Sequence, residues 1–157
     1  MTSEVTFAAI GRQQKFCRTN TLQLVDHVSP SVHKELRTSL PGISIVQVVH
    51  VIDEQSIAQA LAYVPYVDTL LLDSGNPDLK VKELGVTGRT HNWSLSREIV
   101  ERAEVPVFLA GGLNANNVHQ AIKTVRPFGI DICSGVRTDG LLDANKLKRF
   151  MEAVASV

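Results

Sequence analysis

Short runs of β-branched and leucine residues alternate along this chain with longer segments whose apolar positions recur at the helical period, and this alternation constrains the fold more than any other feature. Parallel strands need a crossover between them, usually a helix, so the pattern implies βα units around a parallel sheet. The expected strands are Thr21 to Val25, Ser44 to Val49, Val67 to Leu72, Val105 to Leu109 and Gly129 to Cys133. Each is apolar nearly throughout, which predicts strands covered on both faces.

Capping residues mark the helices between them. Ser29 and Pro30 offer an N-cap and a first-turn proline ahead of Val32, Leu36 and Leu40, which share one face. Asp53 precedes Ile57, Leu61 and Val64, while Asn114 precedes Val118, Ala121, Ile122 and Val125. Asp143 precedes a last helix with Leu147, Phe150, Met151 and Val154. A leading helix is expected within Thr2 to Cys17. No linker rich in Pro, Gly or Ser divides the chain, so residues 1–157 are expected to form a single domain. Five strands suffice for an open doubly wound sheet and fall short of a closed eight-stranded barrel.

Sixteen Lys and Arg balance sixteen Asp and Glu, leaving no whole-chain field to attract nucleic acid or an anionic membrane. Aromatic residues make up only 5% of the chain, which also argues against base-stacking platforms. The N-terminus carries no cationic stretch followed by an apolar one, and no apolar run approaches the roughly 18 residues of a membrane span. A soluble, cytoplasmic protein is expected. Cys17 and Cys133 fit no CxxC or Cys/His ligand pattern, and no two histidines stand four residues apart, so neither a disulfide framework nor a metal is expected.

Ligands of parallel α/β folds bind beyond the carboxyl ends of the strands. Three such ends stand out: Leu72-Asp73-Ser74-Gly75, Leu109-Ala110-Gly111-Gly112-Leu113-Asn114 and Ile132-Cys133-Ser134-Gly135-Val136. The last two follow adjacent strands with small residues, where an anion can approach main-chain N–H groups, so Gly111, Gly112, Ser134 and Gly135 are candidates for a phosphate cradle. The same glycines equally suit tight strand-to-helix turns. Asp73 follows the most apolar strand, and an inward-facing carboxylate there would be partly desolvated, with a raised pKa suited to a general acid; a helix or turn cap bonded to Ser74 or Gly75 is the alternative. Asp26 closes the first strand one position further along. Cys133 is expected to be a small buried core thiol, and Arg89, Arg126 and Arg137 to be solvated surface charges.

These residues carry a resemblance. Val67-Asp68-Thr69-Leu70-Leu71-Leu72-Asp73-Ser74 and Gly85-Val86-Thr87-Gly88-Arg89-Thr90-His91-Asn92-Trp93-Ser94-Leu95 resemble strand six and its following loop in the phosphoribosylanthranilate isomerase family. Val107-Phe108-Leu109-Ala110-Gly111-Gly112-Leu113-Asn114, with Asn117-Val118, and Ile130-Asp131-Ile132-Cys133-Ser134-Gly135-Val136 extend it. The resemblance implies a (βα)8 barrel, here a partial one of five parallel strands alternating with helices. It also implies a cofactor-free Amadori rearrangement of a phosphoribosyl amine to a 1-deoxyribulose phosphate in tryptophan biosynthesis. Asp73 then matches the general acid that protonates the sugar ring oxygen. Gly111, Gly112, Ser134 and Gly135 match the phosphate cradle, and Thr87 and Gly88 the loop that closes over the site.

The chain departs from the family pattern at several points. Thr21 to Val25 becomes strand four, so strands one to three are expected to lie outside these residues, with the family's base cysteine on strand one and the arginine after strand two. Cys17 precedes strand four and is not that base. Gln23-Leu24-Val25-Asp26 stands where Gln-Leu-His-Gly is usual, Gly85-Val86 where Gly-Gly is usual, and Arg137 where Glu is common. Two further readings stay open: a non-catalytic phosphosugar-binding module, and a homo-oligomer formed through exposed sheet edges.

Overall fold

The structure is a computed structural model, and it describes residues 1–74 and 92–157. Strand β1 (Thr21–Leu24), helix α2 (Pro30–Ser39), β2 (Ser44–His50), α3 (Gln55–Tyr63) and β3 (Thr69–Asp73) follow helix α1 (Phe7–Cys17). After them come α4 (Trp93–Arg102), β4 (Val107–Leu109), α5 (Val118–Val125), β5 (Gly129–Ile130), a small hairpin of β6 (Arg137–Thr138) and β7 (Leu141–Leu142), and α6 (Ala144–Ala155). The five main strands pair in sequence order, every neighbouring pair parallel. A doubly wound sheet reverses its strand order at a switch point; this one does not, and is an arc of barrel wall.

Alternate residues of each strand face opposite ways, and the two faces are unequal. Leu22, Leu24, Ile45, Val49, Leu70, Leu72, Val107 and Leu109 join Ile57, Ala60, Ile99, Val118, Ala121, Val125 and Phe150 from the helices in the main core. The other face holds Val25, Val48, Leu71 and Ala110, backed by Val46 and Phe108, with no helix residue among the described residues joining them. Both faces are buried as expected, the outer one under helices and the inner one as the interior side of a barrel wall.

Element ends also differ from expectation. Helix α1 starts at Phe7, where the Thr6 hydroxyl accepts from the Ala9 amide, because Thr2 is held in an extended bridge beside β1. The Thr2 amide donates to Gln23 O at 2.9 Å, and the Val25 amide donates to Thr2 O at 3.0 Å. Asp143 caps α6 by accepting from Asn145 and Lys146, each at 3.0 Å. Ser29 flanks α2 without a side-chain cap bond, its hydroxyl being paired with Ser31. Asp53 accepts from the Gln55 amide at 2.9 Å, two positions before the first helical residue. Gln47, fully buried on the outer face, donates to the carbonyls of Leu24, Asp26 and Val48 and accepts from the His33 ring. That network ties α2 to the sheet and accounts for one histidine as a core residue.

Candidate active site

Where the strands end, their inner-face residues surround a cleft of about 340 Å³. Gln23 and Val25 line it from β1, Asp73 from β3, Gly111 and Gly112 from the β4–α5 loop, and Asp131, Cys133 and Ser134 from the segment after β5. Position parity places them there: Asp73 is two residues beyond Leu71 on the inner face, and Asp131 two beyond Gly129.

Asp73 is 6% exposed. Its Oδ1 accepts from the Ser74 amide at 2.8 Å, so both sequence readings of this residue, inward carboxylate and turn cap, hold together. Its strand partner is His50, whose Nδ1 stands 4.0 Å from Asp73 Oδ2. Asp131 retains solvent contact at the rim, yet surrounding protein, and next the charge of Asp73, push its pKa up. Two carboxylates facing one cleft cannot both ionise without cost.

The glycine loops are shaped by close approach. Gly111 and Gly112 take φ of 85° and 63°, in the left-handed region. A Cβ on Gly111 would stand 2.6 Å from the Ser74 amide nitrogen, and one on Gly135 would stand 1.9 Å from Leu113 O. The two loops therefore press against each other and against the end of β3. Gly135 lies behind the wall that Gly111, Gly112 and Ser134 form. Asn114 and Asn117 brace the first loop, their side-chain amides donating to Gly112 O at 3.2 Å and 3.0 Å.

Several expectations shift here. Asn114 does not cap α5; Asn117 flanks that helix, and Asn114 closes a turn by accepting from the Asn116 amide. Cys133 is an exposed free thiol on the cleft wall rather than a buried core thiol, because β5 ends at Ile130 and the chain there has left the sheet. Asp26 lines a second cleft alongside, of about 540 Å³, with His27, His50 and Tyr63. Arg126 ends α5 and Arg137 donates to Gly140 O; both are exposed. Thr87, Gly88 and Arg89 lie outside the described residues. Among the described residues no group of three His, Cys, Asp or Glu could hold a metal ion, and no helix is long and apolar enough to cross a membrane.

Sequence reasoning passed over His50 and Asp131. Both sit at strand ends within alternating patterns, Val46-Gln47-Val48-Val49-His50 and Gly129-Ile130-Asp131, and the period of two would have assigned them to the inner face beside Asp73.

Comparison with known proteins agrees with this geometry. The chain is 34% identical over 138 residues to N-(5'-phosphoribosyl)anthranilate isomerase of Methanocella arvoryzae, covering 87% of this chain and 62% of that protein. It is likewise 34% identical over 151 residues to the enzyme of that name from Methanocaldococcus jannaschii, covering 89% and 65%. The chain thus spans under two thirds of the length of these curated relatives. Among solved structures, phosphoribosyl anthranilate isomerase from Thermococcus kodakaraensis superposes with a TM-score of 0.78 at 27% identity, covering 99% of this chain and 72% of that one. Another, of phosphoribosyl anthranilate isomerase in complex with reduced 1-(o-carboxyphenylamino)-1-deoxyribulose 5-phosphate, superposes with a TM-score of 0.75 at 26% identity, covering 100% and 70%. The profile of the N-(5'phosphoribosyl)anthranilate (PRA) isomerase family matches residues 2–153, and with a barrel-wall sheet and a cleft at its carboxyl end to go with it, the chain belongs to that family.

Proposed function

We propose that this chain carries the phosphate-holding and proton-donating parts of a phosphoribosylanthranilate isomerase site. The observation that carries the reading is the meeting, in one cleft, of the buried Asp73 carboxyl with two closely packed glycine-bearing loops. Gly111, Gly112 and Ser134 present short or absent side chains to the cleft, so a phosphate ester can reach main-chain N–H groups, with Gly135 allowing the second loop to close on the first. A solved relative at 26% identity is complexed with a deoxyribulose phosphate of this kind, which supports a phosphosugar as the ligand class.

In the reaction so implied, Asp73 gives a proton to the furanose ring oxygen. The C–O bond of the ring breaks with its electron pair going to that oxygen, and the lone pair of the anthranilate nitrogen forms a C=N bond. Loss of the C2 proton to a base gives the enolamine, and protonation at C1 with loss of the C2 hydroxyl proton forms the C2 ketone and completes the Amadori rearrangement. Positioned general acids contribute roughly 10²- to 10⁴-fold, so Asp73→Asn is expected to lower turnover at least about 100-fold. Unchanged turnover by that variant, assayed by loss of phosphoribosylanthranilate fluorescence, would remove Asp73 from this role.

We further propose that residues 1–157 act as one folding unit and that copies associate through the sheet edges at β1 and β5, beyond which no further strand pairs among the described residues. The exposed free thiols of Cys17 and Cys133 favour a reducing compartment such as the cytoplasm.

A further inference from the structure

We propose that His50 and Asp73 share a single proton, carried by either His50 Nδ1 or Asp73 Oδ2, and that His50 is the positioning residue that keeps Asp73 loaded as a proton donor. This rests on the isomerase reading for its role in turnover, and on geometry for the pair itself.

The geometry begins with the ring's other nitrogen. His50 Nε2 lies 3.2 Å from Val25 O. A carbonyl only accepts, so Nε2 carries hydrogen in every protonation state of the ring, and the neutral form is fixed with a lone pair on Nδ1. Nδ1 is buried and has no hydrogen-bond partner among the described residues. Among the described residues, the group it faces in an ion-pair contact is Asp73 Oδ2, at 4.0 Å, the two side chains being 8% and 9% exposed. On the carboxyl, Oδ1 accepts from the Ser74 amide. That leaves Oδ2 as the oxygen to be protonated.

A buried acceptor nitrogen opposite a buried carboxylate oxygen is unfavourable with no proton between them and satisfied with one. The proton sits on Oδ2 with the imidazole neutral, or on Nδ1 with the carboxylate ionised. The 4.0 Å gap exceeds a hydrogen bond, and catalytic contacts that are long without substrate tighten when it binds. The strands make such tightening easy, because His50 and Asp73 are register partners and the Val51 amide already bonds Asp73 O at 2.9 Å. When Asp73 gives its proton to the sugar ring oxygen, the pair is left as neutral imidazole and carboxylate. A proton from solvent water then restores it, landing on either atom.

Other titratable groups surround the pair. Asp26 and His27 beyond β1 and Tyr63 on α3 share the second cleft with His50, with the Tyr63 hydroxyl hydrogen-bonded to His27 Nδ1, and Asp131 beyond β5 shares the main cleft with Asp73. Their titrations must be followed alongside.

Imidazole ¹⁵N NMR of the full chain, with no ligand, reads the pair directly. His50 is expected to show the Nε2–H tautomer throughout, and its titration midpoint is expected to fall by about one pH unit in Asp73→Asn. An unmoved midpoint, or the opposite tautomer, overturns the proposal. Should Asp73→Asn fail to fold, the ¹³C carboxyl titration of Asp73 in His50→Gln reads the same coupling from the other side, and an unmoved curve there is equally fatal. In turnover, His50→Gln is expected to lower kcat at least about tenfold with KM nearly unchanged and to alter the pH profile of kcat. Wild-type kcat with a wild-type profile would overturn the positioning role. Absence of turnover in the wild-type chain itself would count against the isomerase reading, and the NMR comparison then decides the pair alone.

Discussion

Asp131 shows, at the scale of a single residue, how burial and a neighbouring charge in the cleft bear on stability. Its carboxyl pKa is raised, first by desolvation and then by the charge of Asp73. A carboxyl whose folded pKa lies above its unfolded value stabilises the fold relative to its ionised form only at low pH, and that contribution is lost as pH rises through the folded pKa. At neutral pH the ionised Asp131 is therefore a liability. Asp131→Asn is expected to raise the urea midpoint at pH 7 and to leave it nearly unchanged at pH 3, well below the ordinary carboxylate range. A gain of equal size at both pH values would mean that charge is not the cause. Asp73 and the glycines were legible in the sequence because they directly follow apolar runs. His50 and Asp131 were not: Asp131 lies inside the run Gly129 to Cys133, and His50 follows the run Ser44 to Val49 with no small or acidic residue beside it to mark a ligand, so only strand parity places them beside Asp73.

Helix α6 is anchored to the rest of the molecule by few contacts. Phe150 is its one buried residue, 2% exposed in the main core, while Leu147, Ala153 and Val154 pack partly buried around it. Phe150→Ala is expected to cost about 3 to 5 kcal/mol, as core Phe truncations do, and to release amide protection through α6. A loss under about 1 kcal/mol would mean the helix docks by other contacts. The helix was legible from its period and from Asp143, an unambiguous cap. The start of α5 was not, because Asn114, Asn116 and Asn117 are all chemically able to cap, and the loop geometry that bonds Asn114 and Asn117 to Gly112 O decides among them. Strand limits erred for a similar reason. Val105 to Leu109 and Gly129 to Cys133 are apolar beyond the ladder, but the β4–β5 register pairs only Phe108 with Gly129 and Leu109 with Ile130.

At the scale of the molecule, the five-strand arc presents one face to helices and leaves the other as the small cluster around Val48 and Leu71. Unpaired strand edges favour association. Thr2 partly occupies the β1 edge through its bridge to Leu24, which leaves the β5 side more open among the described residues. Sedimentation is expected to show concentration-dependent association in the micromolar range, and a monomer throughout would contradict it. The βα alternation was readable from composition and period, but the sequential strand order was not. Each βα unit is locally the same in a doubly wound sheet and in a barrel wall, so the choice between them came from the family resemblance. The central claim is that the carboxyl ends of β4 and β5 form a phosphate cradle beside Asp73. Backbone ¹H–¹⁵N NMR of the chain titrated with ribose 5-phosphate, and separately with inorganic phosphate, tests it most directly. The account predicts saturable shifts concentrated at the amides of Gly111, Gly112 and Ser134; shifts absent there, or spread evenly over the surface, would contradict it.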